Sequence, residues 1–193
     1  MEKAKTLGIL GGLGPMAGVC FYEKVTALTK ASCDQEHINV ILAGLADTPD
    51  RTDFILGKST VDPTPRMVES AKILERAGAD VIAMPCNTAH YFYDAIAGSI
   101  HIPMLNIIEE TLKLLAGKGA RKIGLLATEG TIAAGTYPAV AQAHGIEAVR
   151  ADDIAEHVAR TDRRKLIGVA DEKYAAIGFE RFEYGMHKRY VNH

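Results

Sequence analysis

An apolar run, Thr6–Leu10, ends in Gly11-Gly12-Leu13-Gly14-Pro15, and a helical pattern begins directly after it at Met16. A buried strand that turns through glycines straight into a helix is the opening half of a βαβ unit. It commits the chain to a parallel sheet covered by helices. The spacing predicts a helix over Met16–Lys30, with Val19, Tyr22, Val25 and Ala27-Leu28 on roughly one face. A second strand is expected over Ile38–Leu45, then a long polar loop from Ala46 to Thr64, a length that usually serves function or motion. Pro65 suits the first turn of a helix running to about Ala77 and stopping at Gly78. Strands follow at Val81–Met84, Met104–Ile107 and Lys122–Ala127, with a helix at Glu109–Ala116 between the last two. Thr136–His144 reads as a helix and Ile146–Val149 as a short strand. From Ala151 the pattern breaks. This segment holds eight acidic and eight basic residues, five of the chain's aromatic residues and one clear apolar run, Leu166–Ala170. It reads as one or two helices with an aromatic, polar tail.

Composition limits the functions such a fold can serve. The 193 residues are 48% hydrophobic and 24% charged, the balance of a soluble globular protein of one large or two small domains. Lysine and arginine number 22 against 24 acidic residues, a formal charge of -2, which argues against a nucleic-acid partner held by phosphate neutralisation. No run approaches the ~20 apolar residues that span a bilayer, so no membrane partner is expected. Met1–Lys5 is charged and lacks an apolar signal core. Three widely spaced cysteines, Cys20, Cys33 and Cys86, do not make a disulfide framework. A reduced, cytoplasmic protein is expected.

Four constellations carry candidate chemistry. Gly12-x-Gly14-x-x-Ala17 formally satisfies a dinucleotide fingerprint. Two features weaken it: Pro15 removes an N–H where a pyrophosphate would bind, and the first acidic residue after the second strand, Asp47, lies too far on. A tight turn with Pro15 starting the helix is the alternative. Cys86 in Pro85-Cys86-Asn87-Thr88-Ala89-His90 falls at the carboxyl end of a predicted strand, where open α/β sheets bind ligands. If Asn87 or Thr88 caps a following helix, the thiol faces the positive end of its dipole and its pKa falls. A buried structural cysteine is the other reading. Arg51, in Pro49-Asp50-Arg51-Thr52, is either a solvated loop residue or a bidentate partner for a carboxylate. Thr131, in Leu125-Leu126-Ala127-Thr128-Glu129-Gly130-Thr131, offers a carboxylate-binding turn, or Thr128 or Thr131 simply caps a helix. Cys33/His37 and Cys86/His90, each at i, i+4, raise a zinc site, but no Cys-x-x-Cys accompanies them and no metal is expected.

Taken in order, Leu7–Ala17, Asp34-Gln35-Glu36-His37, Pro49–Thr52, Met84–His90 and Leu125–Thr131 resemble the aspartate/glutamate racemase family, its aspartate racemase branch most closely. The resemblance runs from about residue 6 to 149. It implies two similar α/β lobes with parallel sheets flanked by helices, here 1–101 carrying Cys86 and 102–193, the second atypical after about 150 and incomplete. It also implies racemisation of aspartate without any cofactor, a small dicarboxylic amino acid as ligand, and a homodimer. In this family two cysteines face opposite sides of the substrate, one as thiolate base and one as thiol acid. The resemblance makes Cys86 the first of them, Asn87 and Thr88 the holders of the α-carboxylate, Arg51 the grip on a carboxylate, and Thr131 its partner from the second lobe. The second cysteine of the pattern has no counterpart after Cys86. Impaired racemisation is therefore expected, with His187 or Tyr190 as conceivable stand-ins. A single-cysteine enzyme such as a decarboxylase, a non-catalytic dicarboxylate-binding remnant, and a Cys86–His90 hydrolase are the rival readings.

Overall fold

The computed structural model describes residues 5–150 and the strand 175–177. The chain divides into two compact units, the division falling between Ile107 and Ile108. In the first, β1 (Thr6–Gly11) lies between β2 (Asn39–Gly44) and β3 (Val81–Ala83), and β3 also pairs with β4 (Met104–Leu105). Every pairing is parallel, with Ile9 opposite Leu42 on one side and Ala83 on the other. The helices α1 (Pro15–Leu28), α2 (Arg51–Ile55), α3 (Thr64–Arg76) and α4 (Tyr93–Ala97) make the connections, with 3₁₀ turns at Asp34–Glu36 and Thr88–Phe92.

Alternation along β1 explains the two layers, since successive side chains point to opposite faces. Leu7 and Ile9 pack with Ala83 against Phe21 and Val25 of α1. Leu10 joins Met67, Ala71 and Leu74 of α3, with Ile82, Phe92 and Ile96 beside them. Burying each of these larger side chains contributes roughly 1.5–3 kcal/mol. Gly8 faces α3, and a Cβ there would stand 3.0 Å from that of Ala79 and 3.3 Å from that of Leu74, so this glycine sets how closely the helix layer approaches.

Two expectations change in this unit. The sheet-facing side of α1 is Gly18, Phe21 and Val25, whereas Val19, Tyr22 and Leu28 are exposed. The helix is apolar on both sides, so periodicity alone does not single out a face. Gly18 does: it is the buried residue of α1, and a Cβ on it would stand 3.5 Å from the Gly11 Cα, in ordinary contact with β1. The long loop is not wholly irregular either: Asp50 caps α2, its Oδ1 accepting from the Asp53 N–H at 2.8 Å. Five residues are too few for periodicity to reveal, although the cap was in plain sight.

The second unit contains α5 (Ile107–Gly117) from its second residue on, β5 (Lys122–Leu125), α6 (Glu129–Ala134), α7 (Thr136–Ala143), β6 (Glu147–Arg150) and β7 (Ala175–Ile177). Its sheet has the order β6-β5-β7, again parallel, with Leu125 opposite both Arg150 and Ile177. Ile123 and Leu125 are buried, as are Ile108 and Leu112 of α5 and Tyr137 and Ala141 of α7. The strand β7 corrects the reading of this stretch as helical; the other residues after 150 lie outside the described ones, His187 and Tyr190 among them. A three-residue strand, Ala-Ala-Ile, carries no alternation that a sequence reading can register.

Candidate active site

Parallel strands deliver their loops to one edge, and three of these loops meet beyond β1, β2 and β3. At the end of β1, Gly12 takes φ +85°, and a Cβ on it would fall 2.5 Å from the Leu45 carbonyl, inside the backbone that leaves β2. This glycine therefore permits contact between two chain segments, which is the tight-turn reading of the Gly-rich motif. Asp47, too distant in sequence to complete the dinucleotide fingerprint, pairs with Arg66, whose Nη2 reaches its two oxygens at 2.8 and 2.9 Å. Pro15 starts α1, with Gly14 as its cap residue.

The β2 loop is tied down locally. Thr48 donates its hydroxyl to the Leu45 carbonyl at 2.8 Å, and Asp50 caps α2. Arg51, first residue of that helix, folds its guanidinium back so that Nη1 donates to the Thr48 and Pro49 carbonyls at 3.2 and 3.0 Å. Its Nε is buried without a hydrogen-bond partner. Among the described residues no carboxylate pairs with it; its charge acts instead on the Cys86 thiol, whose pKa it lowers. A cation held by neutral carbonyls beside a thiol, with a buried N–H unspent, is a prepared receptor for an anion.

Beyond β3 the chain turns through Met84-Pro85-Cys86. Both peptide groups of Cys86 are bound: its N–H donates to the Met84 carbonyl and its carbonyl accepts from the His90 ring, each at 2.8 Å. Asn87, Thr88 and Ala89 follow in the same turn. The expected helix cap is absent. Asn87 is αR with no side-chain cap bond, and the element after it is a five-residue 3₁₀ turn. Burial pushes the Cys86 thiol above its ordinary pKa, opposed by the Ala89 N–H, the Arg51 charge and the Thr88 N–H. Desolvation outweighs the charge-stabilising groups, so the net direction is toward the thiol, opposite to the thiolate that a helix dipole alone would favour.

His90 is 4% exposed and was weighed in the sequence only as a base or ligand. The Ile107 N–H points at its Nε2 at 3.2 Å, and an N–H can only donate, so Nε2 carries the lone pair. Nδ1 then bears the proton given to the Cys86 carbonyl. Burial holds the ring below its ordinary pKa and hence neutral. With both nitrogens bound to backbone, the ring has nothing left to take a proton from the thiol, and the Cys–His hydrolase reading fails. Among the described residues no group of three or more His, Cys, Asp or Glu side chains is placed to hold a metal.

The first unit thus brings Arg51, Cys86, Asn87 and Thr88 to one loop cluster. Thr131 lies in the second unit, 2% exposed, its N–H held by Thr128 Oγ1 at 3.3 Å and the two hydroxyl oxygens 3.1 Å apart. Thr128 is the cap of α6, the simpler of the two readings of that turn. No helix among the described residues is long and apolar enough to cross a membrane.

Comparison with known proteins agrees with this architecture. The family described as Asp/Glu/hydantoin racemase matches residues 10–181, past the point near 150 where the sequence pattern breaks. The broad specificity amino-acid racemase RacX of Bacillus subtilis is 34% identical over 150 residues, 76% of this chain and 64% of that protein, so the chain spans a little under two thirds of this curated relative. Among solved structures, the aspartate racemase of Picrophilus torridus superposes with a TM-score of 0.70 at 32% identity, over 84% of this chain and 71% of that one. An aspartate racemase homologue from Pyrococcus horikoshii shares the fold, with a TM-score of 0.63 at 23% identity over 96% and 78%. The loop cluster around Cys86 is therefore set in a scaffold with racemase relatives, and the chain belongs to the Asp/Glu/hydantoin racemase family.

Proposed function

We propose that the chain removes the α-proton of a small dicarboxylic amino acid, aspartate first, with Cys86 as the base and without a cofactor. The observation that carries this reading is Arg51: a half-buried cation with a buried, unpartnered Nε and no carboxylate partner among the described residues, held beside a thiol at the carboxyl ends of parallel strands. Arg51 receives the side-chain carboxylate that separates aspartate from neutral amino acids. Asn87 and Thr88 hold the α-carboxylate, onto which negative charge moves as the α-carbon loses its proton to sulfur. The Bacillus relative is named for broad specificity, which leaves the weight of aspartate preference on Arg51.

Incubation with L-aspartate in deuterated water tests the proposal. Deuterium is expected at the α-carbon, with the rate rising with pH as the thiol ionises, and Cys86→Ala should abolish it. Exchange with retention marks a site with one base. Formation of D-aspartate marks a second proton donor on the opposite face. No exchange with aspartate, glutamate or a neutral amino acid at any pH overturns the reading.

A further inference from the structure

His90 is the buried polar side chain whose contacts the proposed chemistry leaves unused. We propose that it is the positioning residue of the Cys86 thiol: by giving its Nδ1 proton to the Cys86 carbonyl, it keeps the 86–90 turn closed and fixes the backbone from which the sulfur projects. The inference rests on the reading of Cys86 as the reacting group.

The geometry is that of a clamp. The His90 N–H donates to the Asn87 carbonyl at 3.0 Å, so the residue closes the turn with its backbone as well as its ring. The ring stacks on Tyr93, centroids 5.8 Å apart and planes inclined by 12°. The Tyr93 hydroxyl donates to the Met104 carbonyl at 2.6 Å, while His90 Nε2 accepts from Ile107. Two adjacent rings therefore grip the β4–α5 connection on one side, and one of them reaches back to the cysteine on the other. Because Cys86 is already fixed at its N–H by Met84, the His90 bond removes the remaining freedom of its carbonyl. What is left to the side chain is rotation about its own Cα–Cβ bond.

The two ring nitrogens have separable tasks, and two amides separate them. His90→Asn puts an N–H donor near the place of Nδ1 and gives up the Ile107 contact. His90→Gln reaches the Ile107 N–H with its carbonyl and gives up the donor to Cys86. Site-resolved alkylation of Cys86 by iodoacetamide, followed against pH in the full chain, reads the thiol without requiring turnover. The midpoint is expected within about 0.3 units of wild type in H90N and about one unit higher in H90Q, since a loosened turn weakens the N–H groups that lower the thiol's pKa. α-Hydrogen exchange should fall on the order of 10²-fold in H90Q, the usual cost of an ångström of misplacement, and about threefold in H90N. Equal effects in the two variants, scaling with their loss of thermal stability, would mean a merely structural histidine and overturn the proposal, as would an unchanged midpoint in H90Q. If wild type shows no exchange with any amino acid, the catalytic reading of Cys86 fails while the alkylation midpoints still decide the role of His90.

Discussion

At the scale of single residues, the site is a contest between burial and charge at one sulfur. Burial favours the thiol; Arg51 and two backbone N–H groups favour the thiolate. Replacing Arg51 by methionine keeps most of the volume and removes the cation. The Cys86 alkylation midpoint in R51M is accordingly expected to rise further above the ordinary thiol value of about 8.5, and aspartate exchange at neutral pH to fall at least tenfold. An unshifted midpoint would place the cation too far away to matter. His90 gives the complementary dependence. Its folded pKa lies below the ordinary imidazole value of about 6.5, so as pH falls the unfolded chain takes up this proton first. Stability associated with the neutral ring is thus complete above about 6.5 and is lost on acidification below it. Urea melts between pH 7.5 and 5 should show a shallower acid decline in H90N than in wild type. Arg51, Cys86, Asn87, Thr88 and Thr131 stand out as candidates because each falls in a local motif. The role of His90 does not, since its partner Ile107 is 17 positions away and only the fold supplies it.

At the scale of elements, boundaries written in local chemistry were legible and faces were not. The expected stop at Gly78 is a Schellman closure: the Gly78 N–H bonds the Glu75 carbonyl, the Ala79 N–H bonds that of Leu74, and Gly78 sits at φ +94°. The same pair of bonds ends α5 at Ala116 and Leu115 and α7 at Gln142 and Ala141. Each closure feeds directly into the next strand, which is why the βα alternation could be followed to residue 150. The face of α1 was illegible because burial there depends on Gly18 meeting Gly11, a contact between elements. The short α2 was hidden in a polar loop, yet it places Arg51, and its stability is testable. Asp50→Ala removes its cap and should cost about 1 kcal/mol in chemical denaturation. Gly12→Ala should cost more than Asp50→Ala. It meets the strain of a positive φ, of order 1–3 kcal/mol, and drives a methyl into the Leu45 backbone. The reverse order would show that the β1 and β2 loops separate at little cost.

At the scale of the whole molecule, both units repeat one physical solution, a parallel sheet whose central strand is buried on both faces. That class was readable from the first strand–turn–helix, because no other arrangement covers such runs with helices that short connections can reach. The strand β7 was not, since three residues acquire strand character only by pairing with β5. What this scale adds is a way to separate recognition from turnover. A ligand bound only by the folded chain stabilises it by about 2.7 kcal/mol at a hundredfold excess over its dissociation constant. For a chain of this length, that corresponds to a rise in Tm of roughly 5–11 °C. Aspartate is expected to produce such a shift in Cys86→Ala, where no proton can reach sulfur. Succinate, which keeps both carboxylates and lacks the amine, should produce a smaller shift, and alanine little. In Arg51→Met the advantage of aspartate over alanine should disappear. Equal shifts with aspartate and alanine in the presence of Arg51 would remove that residue from substrate choice and favour the broad specificity for which the Bacillus relative is named.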